Sequence, residues 1–200
     1  MKKIAIYGGT FNPIHLAHVK LADCAVKELG LDELIFVPAF VSPFKQDEKM
    51  ASPKDRLAMI NGILDYNPIF KVSDFELSKE SVSYTIDTLN FMTSKLGFKP
   101  YFIAGFDSFL TMDKWYKGSE ILSNYEIITA KRPGSCGTES DKIINGFIKE
   151  YSAKINILSM PELDISSRDI RNRVKSGDNI KDLVLPSTEE YIHEHNLYRD

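Results

Sequence analysis

The chain has 200 residues, 43% of them hydrophobic and 26% charged, with a formal net charge of −3. That length and balance suit one sizeable α/β domain with a buried core, spanning the whole chain from 1 to 200. The slight acidity excludes a general nucleic-acid binder, so any affinity for phosphate must come from a local cluster of cations. No apolar run approaches the ~20 residues that cross a bilayer, and the N-terminus runs straight into a strand without a signal-peptide pattern. The expectation is a cytoplasmic protein with no membrane partner. Cys24 and Cys136 lie far apart and lack metal-site spacing; Cys24 is expected in the core.

The first stretch, from Ile4 to His18, organises the rest. Ile4 to Tyr7 is an uncharged apolar run that reads as a buried strand, and Gly8, Gly9 and Thr10 follow, then Phe11 and the turn signal Asn12-Pro13. From about His15 to Leu29 the apolar positions Leu16, Val19, Ala22, Ala25, Val26 and Leu29 mark an amphipathic helix. A strand, a glycine turn and a helix start make an anion site, because unpaired N–H groups and the positive end of the helix dipole converge there. Glycine lets a phosphate approach the backbone. His15 and His18, three apart in the first turn, share one helix face. The stretch is neither the G-x-G-x-x-G dinucleotide fingerprint nor a Walker A loop, since the third glycine and the Gly-Lys-Ser/Thr are missing.

Gly30 stops the first helix, and Glu33 to Val37 reads as a second buried strand. The irregular stretch from Pro38 to Ala51 is long for a compact domain, which points to function, and it carries Lys45. Ser52-Pro53 opens a helix with Leu57, Ile60, Ile63 and Leu64 inward. Phe70 to Leu77 reads as a strand, and Ser83 opens a helix through about Leu96. Pro100 to Gly105 is a strand ending in Gly105-Phe106-Asp107, and Tyr125 to Ala130 is another ending in Lys131-Arg132. A helix over Asp141 to Tyr151, a strand over Ile155 to Leu158, a helix from Ser166 and a last helix over Glu189 to His195 complete the chain. Strands alternating with helices predict a doubly wound parallel sheet, whose ligands sit beyond the carboxyl ends of the strands. The chemistry-bearing residues gather at those ends.

Six stretches, in order, carry a resemblance to one family. Gly8 to His18 resembles GGTFDPIHxGH, the form of the HxGH motif in bacterial nicotinate-mononucleotide adenylyltransferases, with Asn12 for Asp and Ala17 for Gly. Pro43-Phe44-Lys45 falls where the family has Pro-His-Lys, and Ser83 to Leu89 is similar to SYTxDTL. Gly105 to Trp115 is similar to GxDxxxxLxxW, Arg132-Pro133-Gly134 to RPG, and Ile165 to Arg171 to ISSTxIR with Arg168 for Thr. The ending, Leu185-Pro186 and Tyr191 to Tyr198, also resembles the family's and reads as structural.

The resemblance implies a Rossmann-like nucleotidyltransferase that moves the adenylyl group of ATP to nicotinate mononucleotide, releasing pyrophosphate in a step of NAD biosynthesis. It implies that His15, His18 and Arg171 serve catalysis. It implies ATP binding by Gly8, Gly9, Thr10, Phe11, His18, Gly105, Asp107, Ser166, Ser167, Arg168 and Arg171, and acceptor binding by Lys45, Thr85, Trp115, Tyr116 and Arg132. Mg²⁺ is expected to arrive with ATP, there being no carboxylate cluster built to hold a metal alone. The partners are then ATP and the mononucleotide, with a homo-oligomer left open. Two rivals stand: another acceptor (pantetheine phosphate, glycerol phosphate or the nicotinamide mononucleotide), and a module that senses ATP without turnover.

Overall fold

Ile4 and Ile6 face one side of a sheet and Ala5 and Tyr7 the other, and all four are at most 3% exposed. A strand buried on both faces belongs in the middle of a parallel sheet, and there it lies. In the computed structural model, which describes residues 2–43, 50–131, 138–160 and 163–199, six strands pair in parallel in the order β3-β2-β1-β4-β5-β6. They are β1 (Ile4–Gly9), β2 (Glu33–Pro38), β3 (Phe70–Val72), β4 (Tyr101–Ile103), β5 (Glu126–Ala130) and β6 (Lys154–Leu158).

Among the described residues, eight helices cover the two faces. On the side of Ala5 and Tyr7, apolar residues of α1 (Leu16–Leu29), α2 (Pro53–Asn61), α7 (Ser167–Ser176) and α8 (Pro186–Glu194) join one core. On the side of Ile4 and Ile6, α3 (Thr85–Leu96), α4 (Phe106–Phe109), α5 (Gly118–Asn124) and α6 (Thr138–Tyr151) join the other. The expected doubly wound parallel sheet is therefore the fold. Strand order reverses between β1 and β4, and the crevice at that reversal is where such sheets bind ligands. Among the described residues no helix is long and apolar enough to cross a membrane.

Several boundaries differ from the sequence reading. β3 ends at Val72 rather than Leu77, because Ser73 and Asp74 turn the chain: the Ser73 Oγ accepts from Phe75 N–H and the Asp74 carbonyl from Ser78 N–H. α3 begins at Thr85, since the preceding Ser83 is tied to the segment after β2, its N–H donating to Val41 O and its Oγ accepting from Phe40 N–H. α8 starts three residues early, at Pro186, where a missing N–H costs nothing. Ile60 and Ile63 are buried as expected, but Arg56 and Met59 complete the inward stripe, and Leu57 and Leu64 are only half-buried. Cys24 is half-buried rather than in the core.

Candidate active site

The segment after β1 is clamped from three sides through its own carbonyl oxygens. Arg56 Nη1 donates to Thr10 O at 2.8 Å, Arg171 Nη1 to Asn12 O at 2.9 Å and Ser167 Oγ to Pro13 O at 3.0 Å. The side chain of Asn12 adds a fourth tie, its Oδ1 accepting from Ala51 N–H at 3.0 Å and from the Tyr198 hydroxyl at 2.9 Å. A loop whose carbonyls point into these clamps is rigid, and a rigid loop can present N–H groups to an anion without reorganising.

α1 leaves this loop at His15, an extended N-cap residue. The His15 N–H donates to His18 Nδ1 at 3.3 Å, and the two imidazoles stack with centroids 3.6 Å apart. Assigned from that hydrogen bond, neutral His18 carries its proton on Nε2, the nitrogen able to donate to a phosphoryl oxygen. Phe11 and Tyr7 set the ring edge-on from beneath, at 5.1 and 6.0 Å. Burial pushes the Tyr7 hydroxyl far above its usual pKa, so it stays neutral in this apolar floor.

His15, His18, Gly105, Asp107, Ser166, Ser167, Arg168 and Arg171 all line one cleft of about 390 Å³. Eight residues from three separate stretches are thus brought together. Gly105 caps α4 and Ser166 caps α7, so two helix starts open on the cleft beside the start of α1. The Ser166 hydroxyl donates to Asp169 Oδ2 at 2.7 Å and accepts from Asp169 N–H, while the Ser167 proton goes to Pro13 O. Both hydroxyl protons are thus used within the protein, and Ser166 caps the helix. Arg168 is exposed and Arg171 half-buried at the rim.

Gly8, Gly9, Thr10 and Phe11 flank the cleft without lining it. The Phe11 ring is 2% exposed and packs on Tyr7 and Phe36, so what this residue offers a ligand is its backbone. On the other side of the glycine turn lies a second group. Phe102 sits 3.4 Å from where a Cβ on Gly8 would be, and its ring meets Trp115 edge-on at 6.3 Å. Tyr116 lies 4.7 Å from Tyr84, the N-cap of α3, which brings Tyr116 to the helix start that carries Thr85. Lys45 and Arg132 lie outside the described residues.

One residue went unnoticed in the sequence, and another was read there without its partner. Arg56 is fully buried and, among the described residues, is held by carbonyls alone: Thr10, Ala39, Phe40 and Ala51. Removing an ion from water costs several kcal/mol, and burial lowers its pKa. Its signal was visible: Arg56, Met59, Ile60 and Ile63 fall at i, i+3, i+4 and i+7, a charge inside an apolar stripe. Tyr198 was read as part of a structural ending, but nothing in the sequence pointed to its bond with Asn12.

With this geometry in view, the chain belongs to the cytidylyltransferase-like family, whose model matches residues 6–173. It is 38% identical over 198 residues to a protein of Caldicellulosiruptor saccharolyticus named probable nicotinate-nucleotide adenylyltransferase, covering 99% of this chain and all of that one. A protein of Thermoanaerobacter sp. with the same name is 39% identical over 199 residues, covering 98% of this chain and 94% of its own. Within the wider family, then, this is a member of the nicotinate-nucleotide adenylyltransferases. The fold is also that of the Plasmodium falciparum nicotinic acid mononucleotide adenylyltransferase solved in complex with NaAD, at a TM-score of 0.81 and 24% identity over 99% of this chain and 98% of the other.

Proposed function

We propose that the chain transfers the adenylyl group of ATP to nicotinate mononucleotide, giving nicotinate adenine dinucleotide and pyrophosphate in a cytoplasmic step of NAD biosynthesis. A phosphate oxygen of the mononucleotide attacks the α-phosphorus, and the bond from that phosphorus to the oxygen bridging to the β-phosphate breaks. The protein positions the reactants and stabilises charge on the moving and leaving groups. The observation that carries the reading is the His18 ring, oriented by the His15 N–H, in one cleft with Arg171 and the start of α7.

His18 Nε2–H donates to an α-phosphate oxygen, with His15 stacked behind it. The start of α7, Arg168 and the remaining donors of Arg171 receive the β- and γ-phosphates, as a helix N-terminus and a guanidinium fork do for anions generally. Asp107, a carboxylate in the first turn of α4, accepts from ribose hydroxyls. The loop N–H groups of Gly8 to Phe11 lie between the two nucleotides. Thr85, Trp115 and Tyr116 take the pyridine and its carboxylate, and Lys45 and Arg132 meet phosphates by resemblance alone. Among the described residues no three His, Cys, Asp or Glu side chains gather as a ligand set. Mg²⁺ would arrive with ATP as part of the substrate.

The test is pyrophosphate release with ATP and either the acid or the amide mononucleotide. Fast release with the acid and slow release with the amide is expected, since a helix-start N–H favours a carboxylate over an amide that brings donors of its own. Binding of ATP without release would replace the enzyme by a sensor, and a preference for the amide would change the acceptor.

A further inference from the structure

Arg56 makes four hydrogen bonds, and no acidic side chain lies within ion-pair distance of it among the described residues. Its guanidinium spans three segments: Thr10 after β1, Ala39 and Phe40 after β2, and Ala51 before α2. A trans peptide is planar, so its C=O and the following N–H point in opposite directions. The segment after β2 displays the consequence: Ala39 O turns to Arg56, and Phe40 N–H turns away to Ser83 Oγ at 3.0 Å. By the same geometry, Thr10 O turned to Arg56 sends the Phe11 N–H the other way, and that N–H has no acceptor among the described residues.

Phe11 needs such a restraint. Its φ of 48° lies in the left-handed region that a bulky residue rarely occupies. Strained backbone of this kind persists only where the surroundings over-determine it. The buried ring against Tyr7, Phe36 and His18 is one restraint, and the Arg56 clamp on the preceding carbonyl is the other.

We infer that Arg56 is a positioning residue for phosphate: from behind the loop it turns the Thr10–Phe11 peptide so that the Phe11 N–H faces the transferring phosphates. The inference rests on the proposed adenylyl transfer. Arg56→Lys keeps the charge but substitutes one ammonium for a planar fork, and it cannot reach carbonyls on three segments.

Two measurements test it. In Arg56→Lys protein with a native near-UV circular dichroism spectrum, kcat for pyrophosphate release falls on the order of 10²-fold, as small misplacements of reacting groups do, with KM for either substrate moving far less. Millimolar guanidinium restores part of the kcat of Arg56→Ala and leaves the wild type unchanged. Wild-type kcat in folded Arg56→Lys, with only a lowered Tm, would overturn the inference and leave Arg56 a structural residue. The second measurement needs no variant of Arg56. In wild-type protein labelled with ¹⁵N-phenylalanine, the Phe11 amide, assigned through Phe11→Leu, shifts as pyrophosphate is titrated; an unmoved Phe11 amide also overturns the inference. Absence of turnover in the wild type would instead strike the proposed reaction, and the amide shift would still report which way the peptide faces.

Discussion

The hydroxyl of Tyr198 donates to the side-chain oxygen of Asn12 at 2.9 Å, joining residues 186 positions apart. The end of the chain thereby braces the loop that begins at its first strand. Asn12 is 3% exposed, and its main-chain oxygen holds Arg171, so Tyr198, Asn12 and Arg171 form one connected set. Burial raises the Tyr198 hydroxyl well above its ordinary pKa, and it remains a neutral donor at any working pH.

Tyr198→Phe removes that donor and leaves Asn12 Oδ1, among the described residues, with Ala51 N–H. The expected loss is about 1 kcal/mol, the net worth of one hydrogen bond, read as a lower urea midpoint at unchanged m. An unchanged midpoint would mean that the ending does not brace the loop.

His18→Ala removes the Nε2–H donor from the cleft. Turnover should fall by at least ~10²-fold, the scale seen when one donor to a developing anion is lost, while thermal unfolding stays near that of the wild type. Near-normal turnover in the folded variant would take His18 out of the mechanism.

Gly118 starts α5 against the short 3-10 turn Met112–Lys114, and its N–H donates to Trp115 O at 2.8 Å. A Cβ there would come within 1.9 Å of the Met112 carbonyl oxygen, so backbone must move. Gly118→Ala should destabilise by roughly 1–3 kcal/mol, as overpacking does, and should displace Trp115 and Tyr116. The kinetic signature is a raised KM for the mononucleotide with KM for ATP little changed; equal changes in both would place Trp115 outside the acceptor site.

Glu76 is 7% exposed and accepts a hydrogen bond from Thr88, one turn along α3 from Thr85. Burial raises its pKa from the ordinary 4.5, against the opposing pull of the Thr88 and Ser83 hydroxyls. The folded protein then binds this proton more tightly than the unfolded chain does. The stability that the protonated carboxyl contributes is complete below the unfolded pKa and is lost as pH rises through the folded one. Relative to Glu76→Gln, the wild type should therefore lose Tm as pH rises from 4.5 through that higher value. A difference that widens as pH falls in the other direction, or none at all, would contradict the burial argument.

How much of this could be read beforehand depends on how local each signal is. The apolar run of β1, the glycine turn and the helix behind His15 are written in consecutive residues, and they form where expected. The cap at Ser52 followed by Pro53 is likewise a matter of adjacent residues, and the N-cap geometry is as anticipated. The parallel, doubly wound sheet followed from alternating strands and helices, and with it the gathering of His18, Asp107 and Arg171 at one end of the strands. β3 was overdrawn because alternation continues past Val72 while the chain has already turned on Ser73 and Asp74.

Arg56, and the contact that Tyr198 makes, escaped for a different reason. Their partners are carbonyl oxygens and one amide oxygen on distant segments, and every residue in a chain has a carbonyl. Patterns of side-chain type specify the strands, the helices and the cations that line the cleft, because those depend on neighbours one turn or one pleat away. The direction in which each loop peptide faces is set only when the packed chain brings a donor up behind it.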